Sequence, residues 1–156
     1  MGGDILGRGS MSLEENKAIV RRFIEAYNEG NLDLFDDLLA PDYFDHTSQV
    51  GREGLKQLFN MAFKAFPDLH ETIEGIIAEG DEVWVRITFT GTHTGEWMGL
   101  APTGKKVTSE MVDIFRIVNG KLVEYRDVGD RLDFFKQLGV IEYTEKGKRI
   151  FPEDVK

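Results

Sequence analysis

Apolar residues recur at helical spacing in the first part of the chain and at every second position after it. Ile19, Val20, Phe23, Ile24 and Tyr27 share one helix face. Ser12 opens that helix with Glu15 three residues on, the pairing of a capping box in which each end's side chain satisfies the other's free amide. Gly30 supplies a left-handed stop. Asn31 caps a shorter second helix carrying Leu32, Leu34, Phe35, Leu38 and Leu39, which Pro41 ends. A third helix is predicted over 52–66, with Leu55, Leu58, Phe59, Ala62, Phe63 and Phe66 on one face and Pro67 as its stop.

Beyond Pro67 the period falls to two. A first strand is predicted over 69–78, closed by Gly80-Asp81. The next, over 83–92, alternates Val83, Val85, Ile87 and Phe89 against Trp84, Arg86, Thr88 and Thr90. A Gly- and Pro-rich loop over 91–105 leads to a third strand over 107–118. Asn119-Gly120 then marks a hairpin, because both positions tolerate the positive φ of a type I′ turn. The fourth strand follows over 121–130 and a last helix over 132–138, ended by Gly139. Three helices followed by an antiparallel sheet define the α+β class. We read one domain over 12–140, preceded by a Gly-rich leader over 1–11 and followed by a loosely held charged tail over 141–156.

Counting outward from the Asn119-Gly120 turn pairs Val118 with Lys121, Phe115 with Glu124, Asp113 with Arg126 and Met111 with Val128. One sheet face then carries Met111, Asp113, Phe115, Ile117, Leu122, Glu124, Arg126, Val128 and Asp130. The other, more apolar, carries Val112, Ile114, Arg116, Val118, Val123, Tyr125 and Asp127, and suits burial against helices or a second subunit. The mixed face fits either a solvated surface with an exposed ion pair or a pocket wall where a few polar groups orient a ligand.

Composition narrows the function classes. The 156 residues suit one domain. The formal charge of −9 opposes nucleic-acid binding, which needs clustered Lys and Arg. The chain has no cysteine, so disulfides and thiol chemistry are excluded. No apolar run approaches the roughly 20 residues of a membrane helix, and no basic-then-apolar signal opens the chain, which gives a cytoplasmic protein by default. His46, His70 and His93 lack the spacing of a metal site. No Gly-rich phosphate loop follows a strand, so no cofactor is expected.

The segments AFPDLHETIEGIIAEGDEVWVRITFTGTHTGEWMGLAPTGKKV and DIFRIVNGKLVEYRDVGDRLDFFKQLG carry a family likeness. Their distinctive pieces are FPD at 66–68, GTHTG at 91–95, PTG at 102–104 and the closing D-R-L…Q-L-G over 130–139. Over 14–140 the chain resembles the SnoaL-like polyketide cyclases (ester cyclase-like), within the nuclear transport factor 2-like superfamily. The resemblance implies a cone-shaped domain, a curved antiparallel sheet around the N-terminal helices, with a ligand inside and the face bearing Asp130 turned inward. In the family the aspartate just before the final helix is the acid/base, a position that Asp130 occupies. The family's usual tryptophan four residues earlier is Arg126 here, which makes the pocket floor more polar and suits an anionic or carbonyl-rich ligand. The family's cyclases pair their aspartate with a histidine on a neighbouring strand, and this chain has no histidine after His93.

The candidate set follows. Asp130 is either the N-cap of the last helix or a carboxylate of raised pKa that moves a proton α to a carbonyl. His46 and Tyr43 are candidates to steady substrate oxygens with Arg126, and Met111 and Trp97 to wall the pocket, with core packing the alternative for Trp97. His93 reads as a loop organiser and His70 as exposed. The expected ligand is a small hydrophobic or carbonyl-containing molecule, and the chemistry proton abstraction with aldol cyclisation or isomerisation. The alternatives are a non-catalytic ligand-binding domain and an epoxide hydrolase-like enzyme. The apolar sheet face predicts a homodimer through the sheet.

Overall fold

Ser12 caps the first helix as its spacing requires, its hydroxyl accepting a hydrogen bond from the Glu15 amide at 3.1 Å. The structure, a computed structural model, describes residues 12–151; the Gly-rich leader lies outside the described residues. Helix α1 (Leu13–Asn28) ends where Gly30 adopts φ +68°. There the Gly30 and Asn31 amides return to the Tyr27 and Ala26 carbonyls, satisfying the last turn.

The second helical segment is shorter than its apolar pattern predicts. It consists of a 3-10 turn (Leu32–Leu34) and α2 (Phe35–Leu38), after which the chain becomes a strand, β1 (Leu39–Asp45). Pro41 therefore sits inside a strand. It has no amide hydrogen to donate, and the pairing of β1 is irregular between Leu39 and Phe44. A two-residue strand β2 (Val50–Gly51) leads into α3 (Arg52–Ala65).

The remaining strands lie within a residue or two of their predicted bounds: β3 (His70–Glu79), β4 (Glu82–Thr92), β5 (Lys106–Val118) and β6 (Lys121–Gly129). They form one curved, unclosed sheet in the order β2-β1-β6-β5-β4-β3. It is mixed where a purely antiparallel sheet is expected, because β1 runs parallel to β6. Helix α4 (Arg131–Leu138) follows β6 and ends at Gly139, φ +75°. Within the charged tail, the described residues include a short helix, α5 (Glu145–Ile150), beside which Tyr143 stacks on Phe151 with centroids 5.0 Å apart.

The helices fill the concave face. Ile19, Val20, Phe23, Ile24 and Tyr27 of α1 meet Val83, Val85 and Ile87 of β4 and Phe115 and Ile117 of β5 in one core. Each such side chain contributes about 1.5–3 kcal/mol by leaving water. The family-like motifs serve this assembly. Asp68 of the FPD turn accepts from the Thr92 amide and hydroxyl, both at 2.7 Å. The Thr94 and Gly95 amides donate to the Ala65 carbonyl at the end of α3. A Cβ on Gly95 would lie 1.8 Å from the Lys64 carbonyl oxygen, so only glycine permits that approach.

The β5–β6 hairpin departs from the register counted from its turn. Asn119 (φ +50°) and Gly120 (φ +75°) form the turn as predicted, and Val118 pairs with Lys121 and Ile117 with Leu122. Arg116 then pairs with Glu124, leaving Val123 as the extra residue of a bulge. Every later residue of β6 is displaced by one, and a one-residue slip exchanges the faces of a strand. Phe115 meets Tyr125, Ile114 meets Arg126 and Asp113 meets Asp127. The expected Asp113–Arg126 pair does not exist.

Candidate functional site

The bulge brings Tyr125 and Asp127 onto the concave face beside Asp113. Asp113 is buried, and its Oδ1 accepts from the Tyr125 hydroxyl at 2.8 Å. Burial pushes its carboxyl up to about 7; the Tyr125 hydrogen bond opposes that shift, while Asp127 and Asp45 add to it. Asp127 stands nearer the opening with 19% of its side chain exposed, its Oδ1 2.7 Å from the Arg131 guanidinium. The Asp127 amide donates to Thr47 Oγ1 at 2.9 Å.

Other elements close the site. The end of β1 supplies Tyr43 and Asp45, both buried. Asp45 Oδ1 accepts from the Thr47 and Ser48 amides and so fixes the turn that carries Thr47. The Tyr43 hydroxyl is buried without a partner among the described residues; burial and then Asp45 and Asp113 hold its proton on firmly. From α1 comes Tyr27, which packs against Phe59 and Phe63 of α3 at 4.5 and 5.4 Å between centroids. From β3 comes Glu71, raised well above the usual carboxylate range by burial first, then by Asp113 and Asp127. Glu71 and Tyr125 are half-buried on the concave side of β3 and β6, and with Asp113 and Tyr43 they mark out the recess of the curved sheet. Among the described residues no three acidic or imidazole groups are arranged to hold a metal ion.

The predicted residues fall on both sides of the sheet. Tyr43 is in the recess, and Met111 is half-buried against the core on the concave row that β5 shares with Ile87. Asp130 is not in the recess: it is exposed, and its Oδ1 accepts from the Asp133 amide at 2.9 Å as the N-cap of α4. Displaced by the bulge, Arg126 is exposed on the convex face. His46 approaches Glu124, Nε2 to Oε1 3.7 Å, and its ring meets Phe44 edge-on. Trp97 packs between the loop and α4, stacked on Phe135 and edge-on to Phe134. His93 organises the GTHTG and PTG loop: it is fully buried, and its Nδ1 accepts from the Thr103 amide at 3.2 Å. His70 is exposed at the start of β3. A separate shallow hollow of about 330 Å³ lies between the α1 terminus and α3, lined by Gly30, Asn31, Leu32, Asp33, Lys56 and Asn60. None of the carboxylates of the recess reaches it.

Counting outward from the turn omitted Asp127 and Tyr125 because nothing at Val123, neither Gly nor Pro, signals a bulge. Glu71 did leave a signal: it is in phase with Leu69 and Ile73 on the apolar side of its strand.

A curved sheet closed by N-terminal helices over an acidic, aromatic-lined recess defines a small-molecule pocket protein of the cyclase-like α+β class. The chain belongs to the SnoaL-like polyketide cyclase family, whose pattern it matches over residues 17–138. It is 34% identical over 133 residues to aklanonic acid methyl ester cyclase AcmA of Streptomyces galilaeus, covering 81% of this chain and 92% of that one. With nogalonic acid methyl ester cyclase of Streptomyces nogalater it shares 29% over 123 residues, 74% of this chain and 91% of that one. Among solved structures, AclR of Streptomyces galilaeus superposes with a TM-score of 0.77 at 35% identity, covering 84% of this chain and all of that one. TsrD of Streptomyces laurentii gives 0.77 at 28% identity, over 85% and 100%. No described helix is long and apolar enough to cross a membrane.

Proposed function

We propose that the protein closes a ring in a polyketide ester by intramolecular aldol addition, with Asp127 as base and Asp113 as acid. The observation that carries this reading is the Asp113–Asp127 pair: two facing carboxyl groups in different surroundings. Such a pair divides acid and base roles at one pH. Asp127, reachable from solvent, takes the proton from the carbon between two carbonyl groups. The carbanion adds to a ketone of the same molecule, forming a carbon–carbon bond and leaving an alkoxide. Asp113, sheltered and bonded by Tyr125, gives the alkoxide its proton. The substrate is isomerised, so neither oxidant nor co-reactant enters. Tyr43's unpartnered hydroxyl donates to the developing oxyanion, an interaction that strengthens as charge appears.

The relatives' names point to a methyl ester of a polyketide acid as the first substrate to try. With aklanonic acid methyl ester, Asp127→Asn is expected to lower kcat about 10²–10⁴-fold, while Asp130→Asn leaves it near wild type. Wild-type turnover by Asp127→Asn would remove it as the base. If the unmodified protein neither cyclises this ester or nogalonic acid methyl ester nor exchanges their α-protons with solvent, a non-catalytic binding domain remains.

The reading includes a homodimer through the convex sheet face. It is supported by Ile77, Trp84 and Val128, large apolar side chains exposed there by 67%, 44% and 68%.

A further inference from the structure

Glu71 lies on β3, two strands along the sheet from Asp113 of β5, and the cyclisation above assigns it no role. It is on the concave side of β3: its neighbours His70 and Thr72 are exposed, while Glu71 and Ile73 are half-buried. Its strand partner is Phe89 of β4. The groups that bear on its carboxyl are acids, Asp113 of β5 and Asp127 of β6. From α1 the Tyr27 phenol feels its charge, and from β6 the Tyr125 phenol does too. No described residue makes a hydrogen bond to its carboxyl oxygens. Among the described residues the buried polar or charged side chains are Asn16, Asp45, His93 and Asp113, so no Lys or Arg is buried to neutralise it.

The backbone at this position is held with unusual care. Asn28, the last residue of α1, donates from Nδ2 to the Glu71 carbonyl and accepts the Glu71 amide on Oδ1, both at 2.8 Å. A side-chain amide that takes both backbone groups of one residue fixes that residue against α1. The residue so fixed is an acid facing other acids, an arrangement that costs stability. Packing alone offers no reason for it.

We propose that Glu71 is a further catalytic residue of the cyclisation: as a neutral carboxylic acid it donates a hydrogen bond to the substrate carbonyl oxygen that becomes the enolate oxygen when Asp127 removes the α-proton. Asn28 is its positioning residue. A carboxylic acid kept protonated by its surroundings can stabilise an oxyanion in this way. Its elevated pKa has the causes already given, burial first, and favours the protonated form that donates. The inference rests on the aldol reading but can fail separately from it.

The test follows turnover of aklanonic acid methyl ester and exchange of its α-proton with deuterated solvent in the full chain, alongside thermal midpoints. Glu71→Ala is expected to lower kcat and α-proton exchange about 10²-fold with little change in KM, the effect of losing one oxyanion donor. Its thermal midpoint should hold or rise, because a half-buried acid among acids has been removed. Glu71→Gln, whose amide still donates, should keep kcat within about tenfold of wild type. Unchanged kcat in Glu71→Ala overturns the proposal. So does a fall in kcat matched by a fall in thermal midpoint, and so does a Glu71→Gln variant as slow as Glu71→Ala. Asp127→Asn run in parallel separates the two readings: if it loses exchange while Glu71→Ala does not, only the role of Glu71 falls.

Discussion

Asp113 on β5 and Asp127 on β6 face each other across the sheet because Val123, between them and the turn, is an extra residue in its strand. Without the bulge count, Asp113 meets Arg126 and the site dissolves into a surface ion pair. With it, two carboxyl groups share one side of the sheet, Asp113 buried beside Tyr125 and Asp127 paired with Arg131.

The bulge itself is dispensable for that pairing. Deleting Val123 leaves Leu122 opposite Ile117 and Glu124 opposite Arg116 in plain alternation, so Asp127 still faces Asp113. Loss of the local twist is expected to cost about 1–3 kcal/mol with turnover retained. Inserting one alanine between Tyr125 and Arg126 turns Asp127 outward and should abolish turnover in a folded protein. Denaturant midpoints and kcat for both variants check this; an active insertion variant contradicts the register argument.

Stability should fall as pH rises toward neutrality. The Asp113 carboxyl ionises at about 7 in the folded protein, through burial, and near an ordinary value of about 3.9 in the unfolded chain. Between those values the native state holds a proton that the unfolded chain has shed. The stabilisation is therefore fully present below about pH 4 and lost by about pH 7. One group contributes up to about 4 kcal/mol over that window. Glu71 is shifted in the same direction and steepens the slope. In Asp113→Asn the Tyr125 hydroxyl keeps an oxygen acceptor and no charge is buried. Its thermal midpoint should exceed wild type at about pH 8, where wild-type Asp113 is ionised, and the gap should close toward about pH 4. A midpoint that rises with pH across this range in the wild-type protein contradicts the shift.

Much of the fold was legible because its signals are local. Ser12 and Glu15, Gly30, Asn119-Gly120 and Gly139 each fix backbone within a few residues, and the structure puts a cap, a stop, a turn and a stop there. The strand at Leu39–Asp45 was not legible: Leu38, Leu39 and Pro41 read as a helix end, and its partner is β6, some eighty residues on. The site was legible only in part for the same reason. Tyr43 was singled out beside His46 and the structure buries it, whereas the placement of Asp127 depends on one unmarked bulge that alternation cannot count. Asp130 shows the converse: its position before a helix fits two roles, and the Asp133 amide at 2.9 Å makes the capping one visible.

The proposed dimer rests on the convex face, and the register gives that face a definite composition. Trp84, Ile114 and Arg126 lie in one row across β4, β5 and β6, and Arg86, Val112 and Val128 in the next. Ile77 of β3 pairs with Trp84 and extends the first row. An apolar band edged by arginines, on a chain of formal charge −9, suits a copy of itself that buries Trp84 while both Arg126 guanidinium groups reach acidic rims. Light scattering at micromolar concentration should give twice the chain mass. Trp84→Glu should give the single mass, because it places like charges in the centre of a face that meets its own copy. The recess lies on the other side of the sheet, so that monomer should keep its α-proton exchange activity. A wild-type protein that scatters as a monomer removes the dimer and leaves the recess argument standing.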